Sequence, residues 1–192
     1  MNLGAYESRA IQTGVDLVNA DSGDDLQEPA RAAELLTAQG WVVPAPPSPA
    51  DLTRLRALRD VLRRAFDAAE EREVVELLNR TLAGLRALPQ LTDHDGGWHW
   101  HYSPPAAGIA DRVAATVAAA LLSLVADGGH GRMRACSADE CENVFVDFSR
   151  NGARRFCSSR ACGNRTHAAA YRARRRSTED RPAPADQESP VD

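Results

Sequence analysis

All four cysteines of this chain fall in one window, as C-x4-C from Cys136 to Cys141 and again from Cys157 to Cys162, with fifteen residues between the pairs. Two close thiol pairs at that separation bring four soft donors within reach of one ion, and structural Zn²⁺ sites take four such ligands in a tetrahedron. Two disulfides are the competing reading. The stretch Met1 to Glu7 has neither the basic run nor the apolar core of an export signal, so a reducing, cytoplasmic setting is expected. There the same spacing denotes a metal rather than disulfides.

The residues between the pairs read as a small module built round that ion. Val144-Phe145-Val146-Asp147-Phe148-Ser149 has strand composition, with Val144, Val146 and Phe148 on one face. Asn151-Gly152 is the dipeptide that best tolerates a tight hairpin turn. Arg154-Arg155-Phe156 is expected to return as the second strand and deliver Cys157, and a helix is expected from Thr166 to Arg176. A cysteine knuckle, a hairpin and a helix whose first turn carries ligands describe a treble-clef-like finger. A hairpin and one helix bury too little to fold alone, so the ion would hold the module together.

Four segments carry a resemblance to a known family: Cys136-x4-Cys141, Phe145 to Gly152, Arg154-Arg155-Phe156-Cys157-Ser158 and Cys162-Gly163-Asn164-Arg165. Together they resemble the CGNR zinc finger, over about a quarter of the chain. In bacteria that finger commonly follows an ABATE domain, a family described as stress-induced transcription regulators. Val15-Asp16-Leu17-Val18-Asn19 resembles the opening of that domain. One departure is His167, where a lysine is expected; it leaves the zinc site untouched and removes one charge. The resemblance implies one structural Zn²⁺ held by Cys136, Cys141, Cys157 and Cys162, and DNA as the partner.

The division expected along the chain is a helical ABATE-like domain over 1–130, the finger over 131–176, and a tail over 177–192 whose Pro, Asp and Glu content is that of disorder. The fold class is mainly α with small β elements, α+β. Ile11 to Asn19 reads as a short strand or the entry to a helix, and Glu28 to Gln39 as a helix stopped by Gly40. The Pro-rich run 44–49 is a stiff spacer. Ser48 or Asp51 can cap a helix over 51–69, whose Leu52, Leu55, Leu58, Leu62 and Phe66 recur at threes and fours. Arg56, Arg59 and Arg63 are read as its solvated face. A second helix, 70–87, repeats the pattern with Val74, Leu77, Leu78, Leu82 and Leu85.

Trp98-His99-Trp100-His101-Tyr102 alternates as a strand, with the tryptophans on one face and the histidines on the other. The tryptophans are expected in the core rather than lining a ligand pocket, and the histidines are not expected to hold a second metal. Asp111 to Ala126 is a further helix, and the Gly-rich run 127–131 reads as a hinge to the finger. The apolar stretch Val113 to Val125 is too short to span a bilayer, so no membrane is expected.

Charge is divided unevenly. Residues 131–176 hold eleven arginines and four acids, a net of +7, while the rest holds twelve arginines and twenty-three acids, a net of −11. A basic module beside an acidic domain points to an anionic partner, nucleic acid first. Arg150, Arg154, Arg155, Arg165, Arg172, Arg174, Arg175 and Arg176 are the candidate phosphate contacts. No nucleophile elbow, phosphate loop, dinucleotide fingerprint or H-E-x-x-H occurs, so an enzyme is not expected. The alternative function is a zinc-stabilised interaction module that docks on the acidic N-terminal domain, on another copy of itself or on another protein, without binding DNA.

Overall fold

The leucine stripe of the helix over 49–67 finds its partners in two flanking helices and a third that runs through the middle. A computed structural model of the chain describes residues 4–20, 25–93, 96–104, 106–166 and 168. Among the described residues five longer helices, α1 (Ala5–Asn19), α2 (Pro29–Ala38), α3 (Pro49–Asp67), α4 (Glu71–Gly84) and α5 (Ile109–Ala126), carry two antiparallel strand pairs between and after them. Strands β1 (Gln90–Thr92) and β2 (His99–His101) pair with Leu91 opposite Trp100. Strands β3 (Met133–Ala135) and β4 (Val144–Val146) pair with Arg134 opposite Phe145. The architecture is α+β.

Of the two readings of Ile11 to Asn19, strand or helix, the helix is the one found, and it begins earlier than expected. Its regular backbone starts at Ala5, and Glu7 reaches back to accept the N–H of Gly4 at 3.0 Å. Helix α3 begins as its sequence suggests, with the Ser48 hydroxyl accepting the N–H of Asp51 at 3.2 Å and Asp51 accepting the N–H of Ser48 at 3.0 Å. That reciprocal pair satisfies two of the helix's free N–H donors. Leu52, Leu55, Leu58, Leu62 and Phe66 are all buried.

Helix α5 lies at the centre, against α1, α3 and α4. Alanine and valine at most of its positions let three neighbours approach at once, and Val113, Val117, Leu121 and Leu124 are fully buried. At eighteen residues it has the length and apolarity of a minimal membrane span, more than the expectation allowed, but 67% of it is buried inside this fold.

Two expectations about surface groups are overturned. Arg56 and Arg63 are not a solvated face: Arg56 Nη1 donates to the Leu26 carbonyl at 2.8 Å, and Arg63 donates to the carbonyls of Glu142 and Val18 at 2.9 and 3.3 Å. The tryptophans of the β2 ribbon are not core either, since Trp98 and Trp100 are 71% and 51% exposed. It is the histidine face that turns inward, with the His99 ring 5.0 Å from that of Tyr6.

The expected hinge is a tight helix cap. The N–H of Gly129 donates to Leu124 O at 2.9 Å and that of Gly128 (φ +73°) to Val125 O at 2.8 Å, the two bonds of a Schellman end. A Cβ on Gly129 would lie 2.6 Å from the Leu124 carbonyl oxygen, so the chain turns against the helix end with no slack.

Beyond that cap, β3 and β4 pack on α3 and α1 respectively. Met133, Val144 and Val146 belong to the same hydrophobic core as the helices. Asn19, the last residue of α1, clasps β4 with two bonds: its Nδ2 donates to Val144 O at 2.9 Å and its Oδ1 accepts Val144 N–H at 2.8 Å. Burying each of the three apolar side chains contributes roughly 1.5–3 kcal/mol, so the finger's strands are joined to the helical bundle as firmly as a core element.

Candidate metal centre

Strand β4 pairs upstream with β3, not with residues 154–156 as the hairpin expectation had it. The physical reason is Asp147, the residue after the strand, which is fully buried. Its carboxylate accepts the N–H of Ser149 at 2.9 Å and the N–H of Arg154 at 2.7 Å. These bonds fold 148–153 into a loop and take the 154 backbone away from any ladder. Burial by itself would push the Asp147 carboxyl up. The hydroxyl and N–H of Ser149, the N–H of Arg154 and the charge of Arg134 outweigh it and hold the group below the usual carboxylate range. Phe148, expected on one face with Val144 and Val146, is 41% exposed while they are buried, and Phe145 is buried too, with the Arg154 guanidinium 4.8 Å from its ring centre.

The loop returns the chain to the first knuckle. Ser137 N–H donates to Arg155 O at 2.9 Å, and Cys136 N–H donates to Asn143 O at 2.8 Å. Cys162 arrives on a five-residue π-type turn, Ser159–Gly163, closed by the N–H of Gly163 on Ser158 O at 3.0 Å. Asn164 lies in the helical turn that follows.

Four sulfurs thereby converge. Cys141 to Cys157, Cys157 to Cys162 and Cys162 to Cys141 are 3.8, 3.5 and 3.6 Å apart, and all four Sγ atoms lie within 4.8 Å of one another. None is in a disulfide. Zn–S bonds of about 2.3 Å at the corners of a tetrahedron require S···S edges of about 3.8 Å, so the separations and the donor chemistry both fit Zn²⁺. Ionisation tells the same story. Burial raises the Cys136 thiol, but the N–H groups of Cys157 and Ala138 outweigh it and bring it to about 7. Burial and the thiols of Cys162, Cys136 and Cys141 push Cys157 up to about 12. Sulfurs this close cannot all be thiolates without a cation among them. N–H donors surround the cluster: Cys157 N to Cys136 Sγ at 3.3 Å, Asn143 Nδ2 to Cys157 Sγ at 3.8 Å, and Arg165 Nη2 to Cys162 Sγ at 3.5 Å. Among the described residues no other group of acids, histidines and cysteines is placed to hold a metal.

The family comparisons agree with this geometry. A family described as "Putative stress-induced transcription regulator", ABATE, matches residues 12–128. The chain belongs to the ABATE family. The CGNR zinc finger matches residues 132–175, in the same order along the chain, and the finger holds one structural zinc ion. Neither description is that of an enzyme. Among curated proteins no match is found.

The candidate arginines divide by what they touch. Arg154 is committed inside the finger, its Nε donating to Phe156 O at 2.8 Å and its Nη2 to Cys157 O. Arg150 and Arg155 are exposed and in no ion pair among the described residues. Arg165 is exposed beside Cys162. Arg172, Arg174, Arg175 and Arg176 lie outside the described residues, as do His94 and the tail. Sequence reasoning passed over Arg132 and Arg134, which staple the loop. Arg132 Nη1 donates to the carbonyls of Asp147 and Ser149, both at 2.8 Å, and Arg134 Nη1 to that of Arg154 at 3.0 Å. Asn19 and Asp147 fall in the segments that carry the family resemblance, but their roles, clasping Val144 and closing the loop after β4, emerge only in the fold.

Proposed function

We propose that this ABATE protein is a DNA-binding transcription regulator whose finger contacts phosphates. The observation that carries the reading is the pair Arg150 and Arg155, exposed on a zinc-folded module and paired with no acid among the described residues. Arg165 and the run Arg172, Arg174, Arg175 and Arg176 extend the same charge along the chain. Arg154 acts by positioning this surface, because its guanidinium is spent on the carbonyls beside Cys157. Guanidinium groups so placed suit phosphate oxygens, and one or two can reach guanine edges. The division into a helical unit over 1–130 and a finger over 131–176 belongs to this proposal. So does the N-terminal unit's role, sensing or self-association.

A protein-interaction role is the second reading, favoured by the finger's own docking on the bundle through Met133, Val144 and Val146. That contact leaves Arg150 and Arg155 unused. The test is the double variant Arg150→Ala, Arg155→Ala, titrated with random-sequence duplex DNA by fluorescence anisotropy. Affinity is expected to fall about tenfold or more for all sequences alike, since phosphate contacts carry no sequence information. The melting temperature should hold, because neither side chain bonds to the finger among the described residues. Unchanged affinity would remove this face from the interface.

A further inference from the structure

The histidine face of the β1–β2 ribbon closes over α1 and α5 and leaves two adjoining cavities beneath it, of about 430 and 150 Å³. Tyr6, His99 and Thr116 line both, so they are two compartments of one site. Their combined size is that of a small-molecule site, for which about 300–1,000 Å³ is usual.

The larger compartment is cationic. Arg9 on α1 and Arg112 on α5 line it, and neither is in an ion pair among the described residues. Two acids of α1 close by already accept hydrogen bonds. Asp16, two turns along α1 from Arg9, accepts Gln12 Nε2 at 2.8 Å and Gln39 Nε2 at 2.5 Å. Glu7, which lines the smaller compartment, accepts the N–H of Gly4.

The walls are held in place. Arg9 lies over Gly40 (φ +79°), where a Cβ would come within 2.9 Å of Nη1. Trp41 Nε1 donates to the buried Thr13 hydroxyl at 3.0 Å, which fixes the indole along one side. His99 and His101 meet through their Nε2 atoms at 3.1 Å, with His99 Nδ1 against Gly97 O at 2.8 Å. Tyr102 and Ala120 give the smaller compartment an apolar lining.

We propose that this site binds a small organic acid, with its carboxylate between Arg9 and Arg112 and its apolar body against Tyr6, Trp41 and Tyr102. Two arginines lining the larger compartment, whose described wall holds no acid, repel each other, and a planar carboxylate is the group they hold best. The aromatic and aliphatic walls select an organic body over a bare inorganic anion. This inference stands whether or not the finger binds DNA.

Isothermal titration of the zinc-loaded full chain with 2-naphthoate tests it, with neutral 2-naphthamide as the uncharged analogue. One naphthoate per chain is expected, with Kd below about 1 mM for a ligand of this size. The amide should bind at least about tenfold more weakly, the loss expected of a charge-assisted bond. Arg112→Gln should abolish that preference while leaving the helical circular dichroism unchanged. Arg9→Gln, at an exposed position on α1, is the second variant and should do the same. No naphthoate binding, equal binding of the amide, or a preference that survives both variants would each overturn the proposal. Inorganic phosphate binding in place of naphthoate would overturn the organic-acid class.

Discussion

Replacing Asp147 by Asn keeps its shape and removes its charge, and the structure says what that costs. The carboxylate is fully buried and accepts two backbone N–H groups, from Ser149 at 2.9 Å and Arg154 at 2.7 Å. An amide offers one acceptor oxygen, so one of those N–H groups would face an NH₂ donor. A lost bond to a charged acceptor is worth about 1.5–3 kcal/mol, and the stranded buried donor adds to it, for a total of about 2–4 kcal/mol. For a chain of this length, the middle of that range lowers the melting temperature by about 6–12 °C. Because the same two bonds set the path from β4 to Cys157, zinc should also leave the variant faster. Thermal unfolding followed by circular dichroism, with a chromogenic chelator to time zinc release, reads both effects. A variant within about 1 °C of the parent that releases zinc at the parent's rate would refute the reasoning that Asp147 organises this loop.

Other perturbations have equally definite outcomes. Cys157→Ser should lower bound zinc from one ion per chain to a small fraction by metal analysis; retention of a full equivalent would contradict the four-sulfur site. Since Met133, Val144 and Val146 share the bundle's core, that variant should also melt earlier while keeping most of its helical signal. Asn19→Ala removes both bonds that clasp β4 and is expected to cost about 1–3 kcal/mol in chemical denaturation, chiefly through the unpaired Val144 groups. Arg86 sits at φ +51° at the end of α4, where its N–H and that of Ala87 close a Schellman turn on Ala83 O and Leu82 O. Arg86→Gly should therefore stabilise by about 1 kcal/mol, and a loss of stability would show that the Arg86 side chain contributes more than its strain.

The helices were legible because their cores repeat at threes and fours: Leu52 to Phe66 and Val74 to Leu78 are buried where the spacing places them. The metal centre was legible because four thiols in two short pairs have few uses. What sequence periodicity does not carry is the choice of partner. The alternation of Val144 to Phe148 identifies a strand but not its neighbour: the chain does turn at Asn151-Gly152, with Gly152 at φ +57°, but the buried acid Asp147 takes the Arg154 backbone away from the strand. The Trp-His alternation likewise defines two faces without saying which is inward; Tyr6 on α1 supplies the ring that His99 meets. Arginines were the hardest to read. Arg56, Arg63, Arg132, Arg134 and Arg154 all bind backbone carbonyls, a role fixed by which loop ends happen to lie within reach of a long side chain.

The salt dependence of DNA binding tests the central claim most directly. Titrating the zinc-loaded protein with random-sequence duplex DNA across a series of salt concentrations gives the slope of log affinity against log salt. Each neutralised phosphate contributes about −0.9, so three or more arginine contacts predict a slope of about −3 or steeper. Absence of binding at low salt, or affinity that barely changes with salt, would contradict a phosphate-contacting finger and move the search to a protein partner.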